Sequence, residues 1–124
     1  MSLKKVLVVD DSASVRQQVA AALSGNGFEV VEAVDGFDGL RRVDEVPALA
    51  AIVCDVNMPR MNGLEMVEKL RAEGKADKVP ILMLTTEGQD EMKAQGKAAG
   101  AKAWIVKPFN PPQLLDVVSK LVLP

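Results

Sequence analysis

The sequence predicts an α/β fold, a doubly wound five-stranded parallel sheet in the order 2-1-3-4-5 with five helices. Three observations carry this expectation. Five short apolar runs recur along a chain of 124 residues. Apolar residues between the runs have helical spacing. Glu29 and Glu32 lie within the second run, and Lys102 and Lys107 bracket the fifth. Strand alternating with helix five times implies a parallel sheet covered on both faces. No linker or low-complexity stretch divides the chain, and its length fits one domain, residues 1–124.

The first run is Val6-Leu7-Val8-Val9. Val15, Val19, Ala22 and Leu23 then follow helical spacing, with Ser12 as the cap and Gly25 and Gly27 near the stop. The second run, Phe28 to Ala33, carries Glu29 and Glu32. The third, Ala51-Ile52-Val53-Cys54, stops abruptly at Asp55, with Pro59 and Gly63 shaping the loop beyond. Leu64, Val67 and Leu70 share the next helical face, which Gly74 ends. The fourth run is Ile81-Leu82-Met83-Leu84, followed by residues 89 to 99, whose apolar content is mostly Ala plus Met92. The fifth, Ala103-Trp104-Ile105-Val106, is flanked by Lys102 and Lys107. Pro111-Pro112 opens a last helix carrying Leu114, Leu115, Val118 and Leu121. Strands buried on both faces read as unbroken apolar runs, and edge strands tolerate charge, so runs two and five are the edges. Right-handed crossovers then permit 2-1-3-4-5, with the crevice beyond the carboxyl ends of strands one and three, where the order reverses.

Composition excludes several functions. Hydrophobic residues make up 48% and charged residues 26%, an ordinary globular balance. Fifteen basic residues face 17 acidic ones, for a net charge of −2. No basic stripe points to nucleic acid. No apolar stretch approaches a membrane span and no signal pattern opens the chain, so a cytoplasmic location is expected. There is no histidine and one cysteine, Cys54, inside an apolar run. Zinc and Ser-His or Cys-His chemistry are thereby set aside. Carboxylates, hydroxyls, lysines and a hard metal remain.

Those residues gather at the strand ends: Asp10-Asp11 after strand one, Asp55 after strand three, Thr85-Thr86 after strand four, and Lys107-Pro108 after strand five. Singly each is ordinary, as a helix cap, a turn residue or a solvated lysine. Together they are chemically complementary. Two carboxylates about 5 Å apart repel by roughly 3 kcal/mol at an effective dielectric near 20, so three call for a counterion. Mg²⁺ suits oxygen ligands and commonly uses one or two carboxylates plus a phosphate. A lysine and a hydroxyl beside them complete a phosphoryl-transfer site with a carboxylate nucleophile. No Gly-x-x-x-x-Gly-Lys-Ser/Thr loop is present. Haloacid-dehalogenase-type phosphatases place an acid/base Asp two positions after the nucleophile, where this chain has Asn57. A small Mg²⁺-dependent aspartyl-phosphate phosphatase is therefore the weaker alternative, since no cap domain is evident either.

Asp10-Asp11, Asp55 with "NMPRMNG", Thr85 with "PILMLTTEG", and "WIVKPF" resemble the receiver domains of two-component response regulators, most nearly the single-domain chemotaxis regulators of the CheY type. CheY is itself a standard example of the 2-1-3-4-5 order, in the flavodoxin-like class, so the strand order adds no separate support. The resemblance implies that Asp55 accepts phosphate from a sensor histidine kinase. It implies Mg²⁺ ligation by Asp11, Asp55 and the backbone carbonyl of Asn57, with Asp10 acting through water. Lys107 would pair with the phosphoryl oxygens and Thr85 would close on them. Lys107-Pro108 is expected to be cis. Such a protein is a signalling phosphoacceptor that assists its own phosphorylation and dephosphorylation, not an enzyme in the usual sense. Asn57 and Glu87 occupy the positions that tune phosphate loss. Trp104 stands where the family usually has the switch residue Tyr or Phe, and is open to two readings, core packing and switching.

Residues 89 to 99 are expected to form the least anchored helix, because Gly96 costs about 1 kcal/mol relative to Ala and few large apolar residues hold it. The resemblance puts the partner surface on that helix, strand five and the last helix, with the flagellar motor switch as one possible target of a monomeric protein. Val117 and Val122 give the last helix a second apolar side, which is either part of that surface or a wider buried face. Met1-Ser2-Leu3 reads in part as an expression scar, which leaves open a receiver from a longer regulator or one acting as a phosphate sink.

Overall fold

The computed structural model describes residues 3–58, 60–76, 78–86, 94, 97, 98 and 100–122. In chain order these form β1 (Lys4–Val9), α1 (Ala13–Leu23), β2 (Phe28–Ala33), α2 (Gly36–Glu45), β3 (Leu49–Asp55), α3 (Gly63–Ala72), β4 (Ile81–Thr85), β5 (Ala103–Val106) and α4 (Pro111–Leu121). The five strands make one sheet in the order β2-β1-β3-β4-β5, every pairing parallel. The two runs marked by charge are the edges, as the sequence predicts. Four helices, not five, are complete among the described residues. The expected helix at residues 89–99 falls mostly outside them, although Ala94, Lys97 and Ala98 have helical backbone.

Because side chains alternate along a strand, the central strands feed two separate cores. Leu7, Val9, Ile52, Cys54 and Met83 point to the face covered by α3, where Met66, Val67 and Leu70 complete the cluster. Val6, Val8, Val53, Leu82 and Leu84 point to the opposite face, against Val19 and Leu23 of α1 and Leu114 and Val118 of α4. Each such side chain contributes about 1.5–3 kcal/mol on full burial, so the middle of the sheet is the rigid part of the molecule. Val117 and Val122 pack against the second cluster. Their apolar character is thus explained by a wide buried face on α4.

The helix starts are locally encoded. Ser12 accepts from the Val15 N–H at the start of α1, and Asn110 from the Gln113 N–H at the start of α4. At α3 a full capping box forms, with Asn62 accepting from the Glu65 N–H and the Glu65 carboxylate accepting from the Asn62 N–H. α2 packs Leu40 and Val43 against the first cluster and buries Gly36 and Gly39. A Cβ on Gly39 would meet Met66 Sδ at 2.7 Å and Val9 Cγ2 at 3.1 Å, so α2 lies close against the sheet.

Candidate functional site

Parallel strands place all their carboxyl ends on one rim, and the order reverses between β1 and β3. Asp55 is the last residue of β3, and Asp10-Asp11 directly follow β1. The carboxylates of Asp10, Asp11 and Asp55 each offer an oxygen within 4.8 Å of the others. Asp10 and Asp55 are buried, at 0% and 2% exposure, while Asp11 is exposed. From the far side of the rim, Lys107 sends Nζ to 3.1 Å from Asp10 Oδ2 and 3.0 Å from Asp55 Oδ1. The Lys107–Pro108 peptide is cis. Thr85 is fully buried at the end of β4, and its carbonyl accepts the Lys107 N–H at 2.6 Å. The ends of β1, β3 and β5 thus bring Asp10, Asp11, Asp55 and Lys107 together, and Thr85 meets Lys107 through its backbone.

Burial is the largest influence on Asp55 and pushes its carboxyl above the usual range. The Lys107 hydrogen bond pulls the other way, the Asp10 carboxylate pushes up again, and burial prevails. For Lys107 the balance is reversed. Burial alone would lower its pKa, but hydrogen bonds to Asp55 and Asp10 outweigh this and raise it. The shared ammonium is therefore held charged, while one of its carboxylates remains under-compensated. Directly behind the site, Cys54 donates to the Asp55 carbonyl at 3.4 Å, and burial followed by the Asp55 and Asp10 charges pushes its thiol pKa far up.

The loop after β3 is braced at several points. The Asn57 N–H donates to Asp55 Oδ1 at 3.3 Å, and its side-chain Nδ2 donates to Thr86 Oγ1 at 3.1 Å. The Gly63 N–H donates to the Val56 carbonyl at 3.0 Å. A Cβ on Gly63 would lie 2.2 Å from the Asp55 carbonyl oxygen. The start of α3 therefore lies against the backbone of Asp55 itself.

One contributor was not legible in the sequence. Arg16, one turn into α1, folds back so that Nη1 donates to the Asp10 carbonyl at 2.6 Å and Nε to Glu32 Oε1 at 3.0 Å. The only signal for it is a cation near the positive end of a helix, where the macrodipole disfavours it. Trp104 pairs in register with Met83 and packs against the first core cluster, half-buried, with its indole N–H buried and unpartnered among the described residues. Core packing of Trp104 is thus observed directly. Glu87 lies outside the described residues.

The donor set fits a hard divalent cation. It consists of carboxylate oxygens from three residues, one of them exposed, with the Asn57 peptide tied to one of these carboxylates. Soft or imidazole ligands, which would favour zinc or copper, are absent from the cluster.

Comparison with known proteins agrees with this geometry. The family model described as the response regulator receiver domain matches residues 6–119. The chemotaxis protein CheY1 of Helicobacter pylori is 40% identical over 120 residues, 96% of this chain and 96% of that protein. The structure of the chemotaxis protein CheY4 of Vibrio cholerae superposes with a TM-score of 0.90 at 45% identity, covering 97% of this chain and 99% of that one. The phosphate regulon transcriptional regulatory protein PhoB of Escherichia coli is 34% identical over 112 residues, 90% of this chain but 48% of that protein. A match that runs from β1 into α4, joined to CheY-type relatives aligned along nearly their whole length, places the chain in the response regulator receiver domain family.

Proposed function

We propose that this chain is a phosphoacceptor switch of the chemotaxis type, with Asp55 as the residue phosphorylated. The observation that carries the reading is the Lys107 ammonium shared at 3.1 and 3.0 Å between Asp10 and Asp55, inside a three-carboxylate cluster. In the proposed reaction an Asp55 carboxylate oxygen attacks the phosphorus of a sensor kinase's phosphohistidine. An O–P bond forms, the P–N bond breaks, and the imidazole leaves with the electron pair. Lys107 holds Asp55 in place beforehand and then pairs with the phosphoryl oxygens, whose charge is about −2 against −1 for the free carboxylate. Thr85, at the neighbouring strand end, closes on the phosphoryl group by its hydroxyl.

Asp11, Asp55 and the Asn57 carbonyl are the groups proposed to hold Mg²⁺, with Asp10 acting through a bound water. When bound, the ion supplies positive charge that stabilises the transferring phosphoryl oxygens. Loss of the phosphoryl group is hydrolysis of the same O–P bond by water. Asn57 and Glu87 are the residues proposed to set its rate, and their pairing favours a short-lived signal. The altered charge is read by Thr85 and Trp104 and passed to a protein target that docks on β5 and α4. A cytoplasmic, monomeric chain receiving phosphate from a kinase and delivering it as a change in protein binding, with the flagellar motor switch as the target to try first, fits the CheY-type relatives.

Acetyl phosphate with Mg²⁺ tests this by intact mass. The expected outcome is one added phosphoryl group on the wild type, none on Asp55→Asn, and a change in Trp104 fluorescence with the wild type only. Equal uptake by both proteins would remove Asp55 as acceptor. A phosphoprotein that persists for many hours in Mg²⁺ would overturn the short-lived signal.

A further inference from the structure

We infer that Arg16 is a positioning residue that fixes the Asp10–Asp11 turn and thereby sets the cation affinity of the site. The inference rests on the reading of Asp10, Asp11 and Asp55 as a cation site. An ion pair with Glu32 would alone be an ordinary surface contact worth about 0.2–1 kcal/mol. Two features make it more than that. The Arg16 side chain is only 14% exposed. Its shorter bond, 2.6 Å, goes not to Glu32 but to the carbonyl of the peptide joining Asp10 to Asp11.

That peptide is the last one before the exposed carboxylate. The Asp10 N–H donates to the Ala33 carbonyl at 3.1 Å, and the Asp10 side chain accepts from the Ser12 N–H at 2.9 Å and from Lys107 at 3.1 Å. These bonds hold Asp10 itself. The carbonyl fixes the plane of the peptide that leads into Asp11, and Arg16 is what holds the carbonyl. Glu32, on edge strand β2, steadies the guanidinium from outside at 3.0 Å. The arrangement runs from β2 through α1 to the end of β1 and leads into the Asp11 carboxylate, which has no hydrogen bond among the described residues. Partners that orient a metal ligand in this indirect way typically change metal affinity 10–100-fold when removed.

Charge and positioning predict opposite signs, which makes the inference testable. If Arg16 acted only as a nearby cation, its removal would strengthen Mg²⁺ binding. If it positions Asp11, removal weakens it. Lysine keeps the charge but loses the fork that serves two acceptors at once. Calorimetric titration of Mg²⁺ into the wild type, Arg16→Ala, Arg16→Lys and Glu32→Gln, with melting in EDTA as a control on folding, reads this directly. The expected result is about a 10-fold weaker affinity for both Arg16 variants and a smaller loss for Glu32→Gln. Affinity unchanged or increased in a folded Arg16 variant overturns the inference, even if its melting temperature falls. Should Arg16→Ala not fold, Arg16→Lys carries the decision by the same criterion. A wild type that binds no Mg²⁺ instead overturns the cation-site reading beneath it, which phosphoryl uptake on Asp55 checks separately.

Discussion

Asp55 carries its charge against resistance. It is 2% exposed, faces a second buried carboxylate, and has its pKa raised by burial despite the Lys107 ammonium 3.0 Å away. A carboxylate whose folded pKa is raised binds its proton more tightly in the folded state than in the unfolded one. The fold is therefore favoured below the unfolded value, near 3.8, and loses stability as pH rises through the raised folded value, above which the penalty is constant. Asp55→Asn removes the ionisation and leaves Lys107 paired with Asp10. We expect urea unfolding in EDTA to find Asp55→Asn more stable than the wild type at neutral pH. The difference should shrink towards zero as pH falls to about 4. A wild type more stable than Asp55→Asn at neutral pH would show that the Lys107 pairing outweighs burial.

At the scale of elements, α3 shows how a helix start can press against a strand end. Replacing an exposed helical glycine with alanine usually stabilises by about 0.5–1 kcal/mol. Gly63 opens α3 with its missing Cβ aimed at the Asp55 carbonyl, at 2.2 Å. Backbone cannot yield as a flexible side chain can, so the contact reverses the sign. Gly63→Ala is expected to cost roughly 2 kcal/mol in urea unfolding and to slow phosphoryl uptake at Asp55. A neutral or stabilising result would mean that the loop and the capping box at Asn62 shift freely. Gly39 makes a similar point for α2. A Cβ at Gly39 would meet Met66 and Val9, and its absence lets α2, with Leu40 and Val43 against the first cluster, lie close to the sheet. The starts of α1 and α4 were legible in the sequence, since Ser12 and Pro111-Pro112 announce them through backbone chemistry alone.

Across the whole molecule, strand order was readable because charge marks exposure. Glu29 and Glu32 signal the β2 edge, and the unbroken runs of β1, β3 and β4 signal burial on two faces. The site followed from the order, since carboxyl ends meeting at a reversal leave a crevice that Asp10, Asp11, Asp55 and Lys107 line. Arg16 did not follow, because helical spacing shows which face a residue occupies but not that its side chain bends back to a strand end. The doubly covered sheet has one more effect. The chain's single cysteine, Cys54, sits in its centre with no exposure and a thiol whose ionisation is strongly suppressed. Only a thiolate reacts readily with alkylating or disulfide reagents, so modification must wait for the central strand to open. Reaction at neutral pH should run at least about 10³-fold slower on the native chain than in urea, making Cys54 a built-in clock for unfolding. A cysteine introduced on the surface would then take a dye cleanly, with no need to remove the one that nature placed behind Asp55.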